Sequence, residues 1–271
     1  LGGTSTRVAS SKDLKTIHKM EVFHTEHDLS HEKKLINQAI ATVIEKERVD
    51  NISIGVPGIV DRYARTFRRI VNYPELTGKS YEALFDLDVP NSRIVVENDA
   101  ALAGLAEANR GEAADHRVVA YLTLSTGFGG VRIQDKKISR VQGNSEPGHM
   151  IIDIKGREDS VCGQKGCVHS YLSGVAFKEL YKIEPSECKA PKIWNEYGSR
   201  LAVAIINVLA MWEPGIIVLG GSVASQFDMF EPAMHDALVA QNLFDVPKIV
   251  HSELDGMNGI LGGFDLIKQL F

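Results

Sequence analysis

Polar and apolar positions along the chain switch between a helical and a strand-like period, and the order in which they switch predicts an α/β protein. The pattern around Glu32 to Glu47 predicts an amphipathic helix, and Ile52 to Val56 predicts a strand. Arg93 to Glu97 predicts a second strand that runs into a helix over Ala100 to Asn109. Val118 to Leu124 is again strand-like, and the glycine-rich turn after it joins it to a following strand as a hairpin. A long helix from about Lys192 to Met211 is stopped by Pro214, after which Ile216 to Leu219 predict a buried strand ending in Gly220-Gly221-Ser222. Gly259 to Phe271 predicts a short amphipathic helix with Ile260, Leu261, Phe264 and Ile267 on one face. No low-complexity linker interrupts this order. Two lobes joined by a compact hinge near Ala106 to Arg117 are therefore expected.

Two glycine-rich turns stand out against this pattern. The first is Leu1-Gly2-Gly3-Thr4-Ser5-Thr6-Arg7-Val8-Ala9 and the second is Leu124-Ser125-Thr126-Gly127-Phe128-Gly129-Gly130-Val131-Arg132-Ile133. Each enters a β-type segment. Glycine lets main-chain amides approach a ligand closely, so such a turn can cradle a phosphate, although either turn taken singly also fits a hairpin that needs glycine for shape. Two matched turns favour the phosphate reading, with duplicated lobes holding the two ends of a polyphosphate.

Composition narrows the class. A chain of 271 residues with 44% hydrophobic and 24% charged content is an ordinary globular protein of one or two domains. The longest apolar stretch, Leu201 to Trp212, contains Asn207 and falls well short of the roughly 20 residues of a membrane span. No secretory signal pattern opens the sequence, and three cysteines do not make a disulfide framework, so a cytoplasmic protein is expected. Cys188 reads as a plain core or surface thiol. A net charge of −5 without a lysine/arginine block argues against a nucleic-acid footprint, and Arg62, Arg65, Arg68 and Arg69 are expected on a solvated loop or strand edge. The chain opens on Leu1 rather than Met, with no strand ahead of the first turn, which leads to the expectation that native sequence precedes it.

Candidate chemistry begins at Val96-Glu97-Asn98-Asp99-Ala100-Ala101, where a strand gives way to a helix. Ligand sites of α/β sheets gather at such strand ends. Asn98 and Asp99 suit a helix cap, and Asp99, kept ionised with help from the helix dipole, also suits a base that takes a proton from an alcohol. Further on come Gly143-Asn144-Ser145-Glu146-Pro147-Gly148-His149 and Ser160-Val161-Cys162-Gly163-Gln164-Lys165-Gly166-Cys167-Val168-His169. These segments resemble the signature of the ROK family (repressors, open reading frames and kinases), Glu-x-Gly-His followed by Cys-x-Cys-Gly-x-x-Gly-Cys-x-Glu. The resemblance runs through essentially the whole chain. Leu1 to Thr4 resembles the family's first phosphate turn, Glu97 to Ala101 its catalytic segment, Ser125 to Gly130 its second phosphate turn, and Pro214 to Ser222 its adenosine-side strand and turn. Gly55-Val56-Pro57-Gly58 and Asn72-Tyr73-Pro74 occupy its sugar-side pattern.

The resemblance implies an actin-like ATPase (ribonuclease H-like) α/β fold with two lobes around a central cleft. It places residues 1–108 and the helix 258–271 in a small, sugar-side lobe and residues 109–257 in a large, nucleotide-side lobe. It implies ATP with Mg²⁺ and phosphorylation of a hexose or N-acetylhexosamine, most often at the 6-hydroxyl, by a homodimer without nucleic-acid or membrane partners. Asp99 would be the catalytic base. Gly58, Asn72, Asn98, Asp99, Glu146, His149 and His169 would contact the sugar, while Gly2, Gly3, Thr4, Ser125, Thr126, Gly127, Gly129, Gly220 and Gly221 would hold the nucleotide and its phosphates. Three departures matter. Ser160 replaces the first cysteine of a zinc set, leaving His149, Cys162 and Cys167, with His169 as the residue that could supply a fourth ligand; an empty or absent zinc site is expected. His169 itself replaces the last glutamate, which the family uses on the sugar. The family's metal-side aspartate would precede Leu1, so either the native chain extends upstream or the protein is a sugar-binding sensor, akin to the family's repressors.

Overall fold

The computed structural model describes residues 1–26, 28–70, 73–139, 145–241, 245–254 and 256–271, with Asn91 as backbone alone. In chain order the first elements are β1 (Ser5–Ser10), β2 (Lys19–His24), α1 (Leu29–Ile44), β3 (Ile52–Val56), β4 (Gly58–Asp61), β5 (Thr66–Ile70), β6 (Ile94–Asn98) and α2 (Asp99–Arg110). There follow β7 (Val118–Leu124), β8 (Phe128–Gln134), β9 (Lys137–Ile138), α3 (His169–Leu172), α4 (Gly174–Tyr181) and α5 (Pro191–Trp212). The last are β10 (Ile216–Gly220), α6 (Phe227–Gln241), β11 (Lys248–His251) and α7 (Asn258–Leu270). The chain divides into two compact units, one holding Leu1–Ala106 and Met257–Phe271, the other Glu107–Ser139 and Ser145–Gly256. Among the described residues no helix is long and apolar enough to cross a membrane.

In the first unit β1 pairs with β2 and β4 with β5, both antiparallel, while β3 and β6 run parallel in the register Ile52↔Ile94 to Val56↔Asn98. Val56, Phe67, Ile70, Leu76, Ile94 and Val96 close one apolar core around Tyr73 and Tyr81. Helix α1 starts three residues ahead of its apolar period because the Asp28 carboxylate accepts the His31 N–H at 2.7 Å, and it ends where Glu45 turns left-handed at φ 50°. Helix α7 packs on β3 and β1. Its Gly262 backs onto the Leu102 carbonyl so closely that a Cβ there would collide with the oxygen.

The arginine run departs from expectation. Arg68 and Arg69 are exposed on β5, but Arg62 turns inward and its guanidinium holds both oxygens of Glu97, the Nε–Oε2 bond measuring 3.0 Å. Glu97 is 0% exposed, and a buried carboxylate requires such a partner. Arg65 donates to the Ile94 carbonyl and lies 5.6 Å from the Tyr81 ring centroid. These two arginines fasten the β4–β5 hairpin onto β6.

The second unit is built on a five-stranded sheet of order β11-β10-β7-β8-β9. Strand β10 runs parallel to β7 and β11, and its five residues are all buried, as a parallel strand covered on both faces should be. Helices α5 and α6 pack on each other, and Phe177, Trp194, Tyr197 and Phe230 form an aromatic cluster in the core. Cys188 is a core thiol whose carbonyl accepts the Trp194 indole N–H at 3.1 Å. Helix α5 opens with Pro191 in its first turn and ends at a left-handed Glu213, just before Pro214.

Candidate active site

Strand β6 delivers the first candidate group. At its end the Asn98 side chain does the capping: its Oδ1 accepts the Ala101 N–H at 3.2 Å, while its Nδ2 donates to the Gly58 carbonyl at 3.3 Å and its main-chain N–H donates to Glu97 Oε1 at 2.9 Å. Asp99 follows as the first residue of α2, its Oδ1 accepting the Ala100 N–H at 2.9 Å. Its carboxyl group is pushed above the ordinary carboxylate range by burial, against which the Leu1 amine and the N–H groups of Ala100 and Asp99 itself act. Desolvation thus works against the help that the helix amino terminus was expected to give the ionised form.

The first glycine turn belongs to the same unit. The Leu1 nitrogen donates to the Gly55 carbonyl at 2.8 Å, and Gly55 on β3 lies against Asp99 at the start of α2. Thr25 ties the turn from behind, its Oγ1 donating to the Gly2 carbonyl at 3.0 Å and its N–H to the Thr4 carbonyl at 3.0 Å. Beneath it the fully buried Glu32 accepts the Thr6 hydroxyl and the Glu26 N–H. Gly58 has φ +136°, and a Cβ there would collide with the Arg69 carbonyl, so only glycine lets β4 begin here. The structure thus gathers Gly2, Gly3, Thr4, Gly58, Asn98 and Asp99 within one unit. Asn72, and Gly143 and Asn144 of the signature, lie outside the described residues.

In the second unit the turn Ser125-Thr126-Gly127 closes the β7–β8 hairpin, with the Ser125 N–H donating to the Gly127 carbonyl at 2.9 Å. Gly129 lies one step into β8, opposite Thr123. Two further segments lock onto this turn. The Gly174 N–H at the start of α4 donates to the Ser125 carbonyl at 2.6 Å, and the Val223 N–H donates to the Leu124 carbonyl at 2.8 Å. Gly221, at φ +97°, would bring a Cβ to 2.6 Å from that Leu124 oxygen, and the hydroxyls of Ser125 and Ser222 lie 3.4 Å apart. Gly220, Gly221 and the second glycine turn are therefore neighbours.

The signature loop packs beside them. Glu146 precedes the turn Pro147–His149, and Gly148 fits against the Phe128 carbonyl, where a Cβ would collide. His169 begins α3; its Nδ1 is 2.8 Å from Asp159 Oδ2, and its Nε2 faces Gly127. Burial by itself would raise the Asp159 carboxyl, but hydrogen bonds from His169 and the Cys162 N–H prevail and hold it at about 2.

The donor atoms of His149, Cys162 and Cys167 lie within 4.8 Å of one another. Ser160 does not join them: its hydroxyl interacts with Glu179. Nor does His169, which Asp159 holds, so the fourth ligand that His169 could have supplied is not part of the cluster. Three donors of this kind do not fit a closed, four-ligand structural zinc site.

Sequence reasoning missed Asp159 and Arg62 as partners of site residues. Asp159 sits in a loop with no periodicity, ten positions before His169, and Arg62 was hidden in a run of surface-like charges.

Known proteins bear on this geometry. The chain is 30% identical over 241 residues to the N-acetyl-D-glucosamine kinase of Vibrio atlanticus (strain LGP32), covering 78% of each. It is similar to a ROK family glucokinase from Streptomyces griseus in complex with glucose and AMPPNP, with a TM-score of 0.82, 23% identity and coverage of 99% of this chain and 97% of that one. A ROK family transcriptional regulator, a homologue of the E. coli MLC protein, aligns with a TM-score of 0.81 and 20% identity over 100% of this chain and 76% of its own. The actin-like fold expected from the sequence is the fold of these structures. The ROK family model matches residues 1–270, and the chain belongs to that family.

Proposed function

We propose that the protein transfers the γ-phosphoryl group of ATP to a hydroxyl of a hexose or N-acetylhexosamine, at the 6-position, with Asp99 as the base. The observation that carries this reading is the junction of β6 and α2, where Asn98 accepts the Ala101 N–H and Asp99, with one oxygen on the Ala100 N–H, holds its carboxylate at the strand end beside the first glycine turn. Burial brings the Asp99 carboxyl closer to a proton-accepting range than an exposed aspartate, which suits a group that must take the hydroxyl proton as phosphorus is attacked. Phosphoryl transfer needs little covalent help from a protein; positioning and charge stabilisation suffice. In this reading Asn98, Gly58, Asn72, Glu146, His149 and His169 position the sugar. The main-chain amides around Gly2 to Thr4 and Ser125 to Gly129 take the phosphates, and Gly220-Gly221 takes the nucleoside side. Mg²⁺ arrives with the nucleotide. The N-acetylglucosamine kinases among the relatives support an amino sugar as the first candidate.

A second reading, sugar binding without transfer, draws on the similarity to the transcriptional regulator. The retained Asp99 favours the enzyme. A coupled assay with ATP across hexoses and N-acetylhexosamines separates the two. Turnover on at least one sugar is expected, with a loss of at least about 10²-fold in Asp99→Asn at unchanged folding. Binding of a sugar without turnover on any would replace the kinase by the sensor, and near-normal turnover in Asp99→Asn would remove the base.

A further inference from the structure

Asp159 and His169 form a pair that the signature resemblance does not supply, since His169 stands where a glutamate was expected. The histidine side chain is 13% exposed and that of Asp159 3%. Both oxygens of Asp159 are engaged. Oδ1 accepts the N–H groups of Val161 at 2.9 Å and Cys162 at 2.7 Å, and Oδ2 lies 2.8 Å from His169 Nδ1. The main chain around it is fixed as well: Asp159 N–H donates to the Gln164 carbonyl at 2.9 Å, and the Gly163 N–H donates back to the Asp159 carbonyl at 2.9 Å. The other ring nitrogen looks away from this loop. A Cβ placed on Gly127 would sit 3.3 Å from His169 Nε2, so Nε2 borders the turn Ser125-Thr126-Gly127.

A carboxylate only accepts hydrogen bonds, so the contact at Oδ2 requires the proton of a neutral imidazole to sit on Nδ1. Nε2 then presents a lone pair. From these contacts we infer that Asp159 is a positioning residue that fixes His169 in the Nδ1–H tautomer, making Nε2 an uncharged acceptor for a sugar hydroxyl beside the second phosphate turn. A glutamate would accept the same hydroxyl hydrogen but would also place a negative charge next to a turn proposed to hold phosphate. The Asp159–His169 pair keeps the acceptor and moves the charge to the far side of the ring. That the hydroxyl belongs to a sugar rests on the kinase reading; the tautomer does not.

Asparagine at 159 makes a sharp test because the loop dictates how its amide must sit. The Val161 and Cys162 N–H groups need an acceptor, so the amide oxygen stays with them and the NH₂ group faces His169 Nδ1. Nδ1 must then accept and Nε2 must carry the proton. The experiment uses protein labelled with ¹⁵N at histidine, in sugar-free buffer at slightly alkaline pH, with His169 assigned from His169→Gln. The expected long-range ¹H–¹⁵N pattern is a neutral ring protonated at Nδ1 in the wild type and at Nε2 in Asp159→Asn. A wild-type ring protonated at Nε2, or at both nitrogens, overturns the inference.

Kinetics read the consequence. Asp159→Asn is expected to raise KM for the sugar about tenfold or more with KM for ATP little changed. The double variant Asp159→Asn/His169→Gln should be no worse than His169→Gln alone, because both changes act through one ring nitrogen. A flipped tautomer with an unaltered sugar KM would refute the acceptor role. If the wild type shows the Nδ1–H pattern but phosphorylates no sugar, the kinase reading falls and the role of Asp159 in fixing the ring stands. Turnover on a sugar with the wrong tautomer has the opposite meaning.

Discussion

At the scale of single residues, the candidate base is held in a state that opposes stability. The folded protein raises the Asp99 carboxyl above its ordinary value of 3.8, so at neutral pH the ionised group is worse placed in the folded chain than in the unfolded one. A raised carboxylate pKa means that the folded state binds more protons. The penalty is absent well below pH 3.8, grows as pH rises through the interval up to the folded pKa, and is constant above it. Asp99→Asn should therefore raise Tm at neutral pH while abolishing most turnover, and the gain in Tm should fade as the pH is lowered past the ordinary carboxylate value. Thermal unfolding of both proteins across that range checks it; a gain that persists unchanged in acid would contradict the burial argument. Such an exchange of stability for activity is common where a site needs a poorly solvated charge. The site was only partly legible at this scale. Asp99 could be located from the strand-to-helix switch, but which N–H of the first turn each side chain takes, Ala101 for Asn98 and Ala100 for Asp99, depends on side-chain geometry that residue types leave open.

Whole elements were more legible, because burial on one face imposes a period that residue order records directly. Helix α5 and strands β3 and β10 lie within one or two residues of their predicted ends. Helix α6 and strand β11 went unread: α6 carries Pro232 inside it, a residue that normally signals a helix end, and β11 has only four residues. The start of α1 was misjudged because Asp28, outside the apolar period, supplies the cap. Contacts between elements are the least legible. Arg62 and Glu97 lie thirty-five positions apart, and nothing local distinguishes Arg62 from the exposed Arg68 and Arg69. The same holds for the approach of Gly262 in α7 to the Leu102 carbonyl. Gly262→Ala should be destabilising, by about 1–3 kcal/mol if the overpacking is relieved by shifts typical of crowded cores. The usual helix-propensity benefit of Gly→Ala would predict the reverse sign. Denaturant midpoints decide between them, and a stabilised Gly262→Ala would show that the two segments can move apart freely.

For the molecule as a whole, the chain builds two hydrophobic cores, one around Tyr73 and Tyr81 and the other around Trp194 and Tyr197, each inside its own compact unit. A substitution that hollows one core, such as Phe67→Ala, at about 3–5 kcal/mol, is expected to pull one thermal transition below the other. Calorimetry checks this: two separable transitions in the variant are the expected outcome, and a single unbroken transition displaced as a unit would show that the cores melt together. The joint made by three stretches of the second unit has a different kind of consequence. The β7–β8 turn, the start of α4 and the segment after β10 exchange main-chain hydrogen bonds at Leu124 and Ser125, with Gly221 pressed against the same strand end. Because main-chain atoms make these links, they tolerate changes of side chain except where glycine is needed, at Gly174 and Gly221, whereas a change in the number of residues would break them. The lengths of these turns are thus one coupled quantity, and a chain that gained or lost one residue in any of them would have to remake all three joints.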